Sequence, residues 1–145
     1  MREIKFKVWD TQEKEFLITP KVEFVHHEKS WGNEFYLEIA EDWDSEDYDP
    51  MRYIFLQSTG LKDKNGKEIY EGDVVKLDSW NPSNMQIVFL EGAFCLANNA
   101  GEYVGDIHYI HHAGIEQAEV IGNIYENSNL LIEKKVKPIL IKKIK

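Results

Sequence analysis

The chain has 145 residues, 26 acidic against 17 basic side chains and a formal net charge of −9. This length fits one domain with a small appendage, and the acidic balance disfavours non-specific nucleic-acid binding. The single cysteine cannot form an intrachain disulfide, and no apolar run is long enough to cross a membrane. We therefore expect a protein of a reducing compartment, the cytoplasm, that does not insert into membranes.

The charges are arranged in three blocks along the chain. Residues 1–76 carry 18 acidic and 11 basic side chains, and residues 77–133 carry 8 acidic side chains with no Lys or Arg. Residues 134–145 carry six Lys and no acidic residue. The first two blocks together have a net charge of −15 and the third has +6. Such a basic tail is able to fold back on its own body or to contact another subunit.

The first third of the chain shows the two-residue period of β-strands. Residues 2–9 alternate between apolar and charged side chains, which predicts a half-buried strand, and residues 15–18 predict its antiparallel partner. Short period-two fragments at 22–24 and 35–39 predict two more strands on either side of a polar segment. Residues 38–49 hold seven acidic side chains in twelve positions, which predicts an exposed loop.

The centre of the chain predicts two hairpins. At residues 61–69 a type I turn with Gly66 in a left-handed bulge sets Asp63 opposite Lys67, Lys62 opposite Glu68 and Leu61 opposite Ile69. A two-residue Asn-Gly loop would instead pair Lys64 with Lys67. The three-residue loop is favoured because its cross-strand pairs have opposite charges.

The second hairpin joins residues 86–90 to residues 93–97 through Glu91 and Gly92. Its register pairs Phe89 with Phe94 and Ile87 with Leu96. Both faces of this hairpin are apolar, so we expect it at the centre of a sheet that is covered on both sides or curled into a barrel.

Later segments predict a last strand at 120–125 and a short helix at 130–135. The Asn-Ser-Asn segment at 127–129 supplies the expected N-cap of the helix, and Pro138 ends it. The fold class is therefore mainly β, with a small SH3-like or barrel-like antiparallel core at 53–97, extra N-terminal strands and a short C-terminal helix. We divide the chain into a single β domain at 1–133, with the acidic loop at 38–49, and a Lys-rich C-terminal tail at 134–145.

Three segments, taken in order, carry a resemblance to a known family. They are MREIKFKVWD at 1–10, QSTGLKDKNGKEIYEGDVV at 57–75 and VIGNIYEN at 120–127. Together they resemble the YopX-like family of phage and prophage proteins, and the resemblance extends over residues 1–131. It implies a mainly β protein of a Gram-positive phage or prophage, with no established activity and with suspected self-assembly.

The central motif also has a physical interpretation that does not depend on the family. It consists of turn residues, in which glycines supply positive φ and Asp or Asn side chains close the turns. We assign these residues a structural role: Gly60, Asp63, Asn65, Gly66, Gly72 and Asp73. No catalytic residue follows from the resemblance or from the motif.

Two clusters invite a metal-binding interpretation. His108, His111 and His112 could share one helical face, but a surface loop or a partly buried strand is the favoured interpretation. The acidic loop superficially resembles a calcium loop, yet it lacks the glycine and the bidentate glutamate that such loops need. We therefore expect no metal or other cofactor. Cys95 lies within an apolar run, which indicates a buried and unreactive thiol.

Protein contacts explain the charged segments better than metal binding does. Aromatic residues inside a charged loop often mark contact surfaces, and a basic tail can meet an acidic surface. The candidate contact residues are Asp42, Trp43, Asp44, Tyr48, Lys142 and Lys143. Other interpretations of the tail are a disordered solubilising end, an intersubunit strand and a contact for an anionic surface.

The sequence favours a non-enzymatic phage or prophage accessory protein that acts through protein contacts with a host or phage protein, or through self-assembly as a homo-oligomer. The alternative is a small β-barrel nucleic-acid-binding or regulatory module, a role that such barrels often have. That alternative rests on fold analogy and is weakened by the acidic charge.

Overall fold

A computed structural model describes residues 3–18, 20–30, 32–39, 49–80, 84–98, 107–110 and 113–131. Within these ranges the chain forms eleven strands and three single 3-10 turns. The strands are β1 (Phe6–Asp10), β2 (Glu15–Phe16), β3 (Val22–Lys29), β4 (Gly32–Ile39), β5 (Tyr53–Lys62), β6 (Glu68–Tyr70), β7 (Asp73–Lys76), β8 (Asn84–Leu90), β9 (Ala93–Ala97), β10 (Ile107–Tyr109) and β11 (Glu119–Asn123). All strand pairings are antiparallel. The mainly β fold class is therefore confirmed, and one of the sheets is a curled half-barrel.

The chain divides into two compact units, one of which comprises residues 4–57. Here β1 lies between β2 and the first half of β5, while β3 and β4 form a separate hairpin. The core of this unit consists of Val8, Ile39 and Tyr53, and half-buried apolar side chains pack around them. The predicted polar segment between β3 and β4 is wrong in extent, because β3 continues to Lys29 and β4 begins at Gly32. Backbone hydrogen bonds between the two strands extend the hairpin through residues whose side chains are polar.

The other unit comprises residues 58–145 together with residues 1–3. Its main element is a five-stranded sheet in the order β10-β9-β8-β7-β11. The predicted β8–β9 hairpin is confirmed, with Ile87 opposite Leu96 and Phe89 opposite Phe94. One face of this sheet is buried in the core, whose members are Ile69, Val75, Leu77, Met85, Ile87, Leu96, Ile110, Ala113, Ile115 and Ala118.

The β5–β6 connection is the predicted three-residue loop. Lys62 pairs with Glu68, and the backbone N–H of Asp63 donates to the carbonyl of Lys67 at 2.8 Å. The third predicted pair does not form, because the next registered pair is Ser58 with Tyr70. The register shifts between these pairs, where Gly60 has a φ of +77°. The pairing predicted from the sequence was therefore wrong for one pair, Leu61 with Ile69.

The predicted C-terminal helix is wrong at its start. Asn127 is an N-cap, as expected, but it precedes a 3-10 turn at Ser128–Leu130 and makes no side-chain capping hydrogen bond. The remainder of the predicted helix, like the tail at 134–145, lies outside the described residues. The boundary between a domain at 1–133 and this tail stays a prediction. In the part of the chain that is described, no helix is long and apolar enough to cross a membrane.

Candidate functional site

Asp63 lies at the centre of the glycine-rich motif and is 6% exposed. Its Oδ1 accepts hydrogen bonds from the backbone N–H groups of Asn65 and Lys67, each at 2.9 Å. Its Oδ2 accepts from the backbone N–H of Val120, also at 2.9 Å. Asp63 thus closes its own turn and ties that turn to β11, which is the structural role predicted for it.

The charge of Asp63 is stabilised mainly by backbone hydrogen bonds, with a smaller contribution from the charge of Lys67. Burial by itself would raise the pKa of this carboxyl, but the hydrogen bonds from Val120, Lys67 and Asn65 outweigh burial and lower it. Gly66 completes the turn with a φ of +80°, and its N–H donates to the carbonyl of Asp63 at 3.0 Å. Asp63 and Gly66 therefore close this turn together by hydrogen bonds.

The turn between β6 and β7 repeats the arrangement with a second aspartate. Asp73 is 3% exposed, and its Oδ2 accepts from the backbone N–H of Tyr70 at 2.8 Å. Gly72 has a φ of +83°; its N–H donates to the carbonyl of Ile87, and its own carbonyl accepts from Ile124 N–H. The predicted turn residue Gly72 therefore also joins β8 to the end of β11.

The closing motif at 120–127 forms a third such turn, which sequence reasoning did not assign. Asn123 Oδ1 accepts from the backbone N–H groups of Tyr125 and Glu126, each at 2.9 Å. The Asn123 Nδ2 donates to Glu126 Oε1 at 3.1 Å. Asparagine side chains commonly accept a hydrogen bond from the backbone N–H two residues further on, so the signal for this turn was present in the sequence.

A buried ion pair in the other unit was also missed. Asp10 is 1% exposed, and Arg52 donates to both of its carboxylate oxygens, with Nε at 2.8 Å from Oδ1. The backbone N–H groups of Gln12 and Glu13 donate to the same Oδ1. The hydrogen bond from Arg52 is the main reason that the pKa of Asp10 falls to about 2, against the opposing effect of burial.

The histidine and cysteine candidates gain no support as a reactive centre. His108 packs edge-on against Trp80, with ring centroids 4.6 Å apart, while His111 and His112 lie outside the described residues. Within the described ranges, no three His, Cys, Asp or Glu side chains converge as metal ligands. Cys95 is buried as predicted, and burial, with a smaller effect of Glu91, raises the pKa of its thiol.

The six candidate contact residues of the acidic loop and the tail all lie outside the described residues. These are Asp42, Trp43, Asp44, Tyr48, Lys142 and Lys143. Their role in protein contacts therefore stays a prediction.

The five-stranded sheet has a second apolar face, which we call the Val88 face. Residues directly opposite each other on paired strands share a face, and the registers of β8, β9 and β10 define its members. These are Gln86, Val88, Leu90, Ala93, Cys95, Ala97, Ile107 and Tyr109. None of these side chains is charged.

Exposure of the Val88 face increases from β8 towards β10. Gln86 and Cys95 are buried, whereas Ile107 is 42% exposed and Tyr109 is 51% exposed. An uncharged face with an exposed apolar end has the composition of a protein contact surface. The sequence predicted two apolar faces for the hairpin, but not where along these faces a side chain would reach solvent.

Comparison with known proteins adds a family match. The family model described as YopX protein matches residues 5–132. No curated protein matches the chain.

Two solved structures are similar over almost their full length. One is the crystal structure of protein EF1440 from Enterococcus faecalis, with 30% identity and a TM-score of 0.52 over 90% of this chain and 99% of that one. The other is the X-ray structure of protein yopX from Bacillus subtilis, with 20% identity and a TM-score of 0.50 over 92% of this chain and 98% of that one. The second likeness concerns the fold alone.

Proposed function

Because this chain belongs to the YopX family, we propose that it is a non-enzymatic accessory protein of a phage or prophage. It acts in the bacterial cytoplasm through protein contacts, above all between its own copies. The buried carboxylates Asp10, Asp63 and Asp73 support a non-catalytic role, because each accepts hydrogen bonds that hold the fold together.

The observation that carries the proposal is the exposed end of the Val88 face. Contact surfaces between proteins are depleted of charge at their centre and enriched in apolar and aromatic side chains. The exposed Ile107 lies opposite the half-buried Ala97, the exposed Tyr109 lies opposite Cys95, and this end of the face meets that description. A second copy offers the same face, so two copies can bury it in a two-fold symmetric contact.

Light scattering after size-exclusion chromatography tests this proposal with Ile107→Glu. The unaltered protein should show a mass above the 17.0 kDa of one chain that increases with protein concentration. The variant places a charge in the contact and should remain monomeric. Ile18→Glu is the matched control, because Ile18 is 92% exposed and lies in the other unit. Equal masses for both variants at every concentration would exclude the Val88 face as the contact.

The rival hypothesis of a nucleic-acid-binding module gains no support from the charge distribution. Residues 77–133 supply four of the five strands of the main sheet and contain no Lys or Arg. Phosphate contacts need such cations. A gel shift with DNA and RNA at low salt tests this class directly.

A further inference from the structure

Side-chain size shapes the Val88 face into a groove along β9. The β9 side chains at its centre are small, since Cys95 is buried and Ala97 ends in a methyl group. Larger side chains stand on both sides, because β8 and β10 flank β9 in the sheet. We call this depression the β9 groove. Its floor is Cys95 and Ala97, and its walls are Gln86 and Val88 on β8 and Ile107 and Tyr109 on β10.

The β10 wall of the groove is also a projection that matches the floor. Ile107 lies directly opposite Ala97 and Tyr109 directly opposite Cys95, so the two exposed side chains have the same spacing as the two floor positions. Two sheets that pack face to face lie about 10 Å apart, and large side chains opposite small ones fill that space well. A two-fold axis that runs along the strands between β9 and β10 sets the projection of each copy over the floor of the other.

A buried hydrogen-bond acceptor lies in the β8 wall of the groove. Gln86 is 8% exposed, and its Oε1 accepts no hydrogen bond from the described part of the chain. A buried acceptor without a donor is unfavourable. Gln86 lies directly opposite Ala97, with Cβ atoms about 5 Å apart, so a group that fills the groove above Ala97 lies beside the amide. The acceptor therefore indicates an occupant that carries a donor.

Tyr109 of a second copy has the chemistry that this acceptor needs. Its ring is apolar, and its hydroxyl group can donate a hydrogen bond. A ring placed over Cys95 is also close enough, because Gln86 is the diagonal neighbour of Cys95 across the strand pair, at about 7–8 Å, which an aromatic side chain can span. Neither the groove nor the projection contains a charged side chain, so two acidic copies meet here without placing like charges against each other.

We infer that Ile107 and Tyr109 of each copy enter the β9 groove of the other copy, and that the hydroxyl group of Tyr109 donates a hydrogen bond to Gln86 Oε1 across the contact. This inference rests on the proposed function, because it specifies how the contact between two copies is made. Gln86 and Tyr109 then determine the alignment of the two sheets, since an apolar contact with one buried polar pair is satisfied in one register.

A double-mutant cycle on the full-length protein tests the hydrogen bond. Tyr109→Phe removes the donor and Gln86→Met removes the acceptor, and analytical ultracentrifugation gives the dimer dissociation constant of each single variant and of the double variant. Tyr109→Phe should weaken the dimer about tenfold, because each dimer contains the bond twice. In the Gln86→Met background, Tyr109→Phe should have no further effect, because the acceptor is already absent.

The matched control for loss of a tyrosine hydroxyl group is Tyr70→Phe. The Tyr70 hydroxyl donates to Glu68 Oε2 of its own strand at 2.8 Å, so its removal should leave the dimer dissociation constant unchanged. If Tyr109→Phe has the same effect with and without Gln86, or no effect in either background, the inferred hydrogen bond is wrong.

Ala97→Leu tests the groove itself. Leucine would fill the floor and exclude the incoming side chains, so the dimer should dissociate at concentrations about tenfold or more above those of the parent protein. Ala97 is half-buried on the described surface, and circular dichroism checks that the variant is folded. A general apolar contact without a groove would instead become tighter, because leucine adds apolar area. A tighter or unchanged dimer would therefore overturn the inference.

The inference and the proposed function fail in different ways. If Ile107→Glu abolishes self-association but Ala97→Leu does not weaken it and the cycle shows no coupling, the contact role of the Val88 face stands and the groove contact is wrong. If the unaltered protein never exceeds the mass of one chain, the proposed self-association is wrong, and the groove contact is wrong with it.

Discussion

Two buried aspartates, one in each compact unit, keep their charge by different means. Asp10 depends on the guanidinium of Arg52, with two backbone N–H groups in support. Asp63 accepts three backbone N–H groups, two from its own turn and one from Val120. Both carboxyls have a lowered pKa. A buried carboxylate can thus be held either by a distant cation or by local amides, and the two arrangements should respond differently to mutation.

The largest expected effect comes from removing the cation with Arg52→Met. Asp10 would keep its backbone donors but lose its counter-charge while remaining buried. Removing one partner of an ion pair leaves the other charge uncompensated, and because Asp10 is buried the loss of stability should exceed that from breaking any exposed pair. Denaturant unfolding combined with hydrogen exchange should show the loss in residues 4–57.

A surface ion pair serves as the control for this experiment. Lys21 and Glu23 lie 2.9 Å apart with side chains 70% and 44% exposed, so Lys21→Met should cost about 0–1 kcal/mol. If Arg52→Met is no more destabilising than Lys21→Met, the distinction between a buried and an exposed pair does not hold here.

Asp63→Asn should have a somewhat smaller effect, about 2 kcal/mol. The amide retains one oxygen but turns an NH₂ group towards one of the backbone donors, which loses its acceptor while buried. Unfolding in urea measures the change. Asp78→Asn provides the matched control, since the Asp78 side chain is 78% exposed and the substitution should fall within about 0.5 kcal/mol of the parent. A neutral Asp63→Asn would mean that water satisfies the released N–H.

The contrast between the aspartates also explains what the sequence could predict. The Asp63 turn is local, because Asp63, Asn65, Gly66 and Lys67 lie within five residues and each has a preference for its position. The bond to Val120 spans 57 residues, and no local preference encodes it. The ion pair of Asp10 gives no sequence signal either, since its partner Arg52 lies 42 residues away.

The Val88 face could be predicted only in part, for the same reason. Period-two alternation in β8 and β9 predicted two apolar faces and the correct register. Which face becomes buried depends on what covers it, and the Ile87 side is covered in part by Ile110, Ile115 and Ala118. Those residues lie in a segment with weak sequence signals, so only the structure shows that the Val88 face retains an exposed end.

Acid should weaken both aspartate sites. The folded pKa of Asp10 is about 2 against an ordinary value of 3.8, so its ionised form stabilises the fold above about pH 4. That stabilisation is lost as the pH falls through 3.8 towards 2. The effect is smaller than that of Arg52→Met, because a protonated carboxyl can still form hydrogen bonds.

Thermal unfolding between about pH 6 and about pH 2.5 measures this loss. Arg52→Met removes the main cause of the lowered pKa of Asp10, so the variant should lose less stability on acidification than the parent protein. Asp63→Asn should also lose less stability on acidification, because it removes the other carboxyl with a lowered pKa. If all three proteins lose the same stability on acidification, other carboxylates account for the acid sensitivity.

The smallest expected effect separates the backbone requirement of the Asp63 turn from its carboxylate. Gly66 has a φ of +80°, and a Cβ there would meet no atom within 4 Å. Gly66→Ala should therefore cost about 1 kcal/mol through backbone conformation alone. Gly66→Asn should cost less, because asparagine tolerates the left-handed region better. Urea unfolding of the two variants measures the difference. Equal costs would mean that the turn changes shape when its glycine is replaced. The three N–H groups that donate to Asp63 would then be held less firmly than the Arg52 side chain that donates to Asp10.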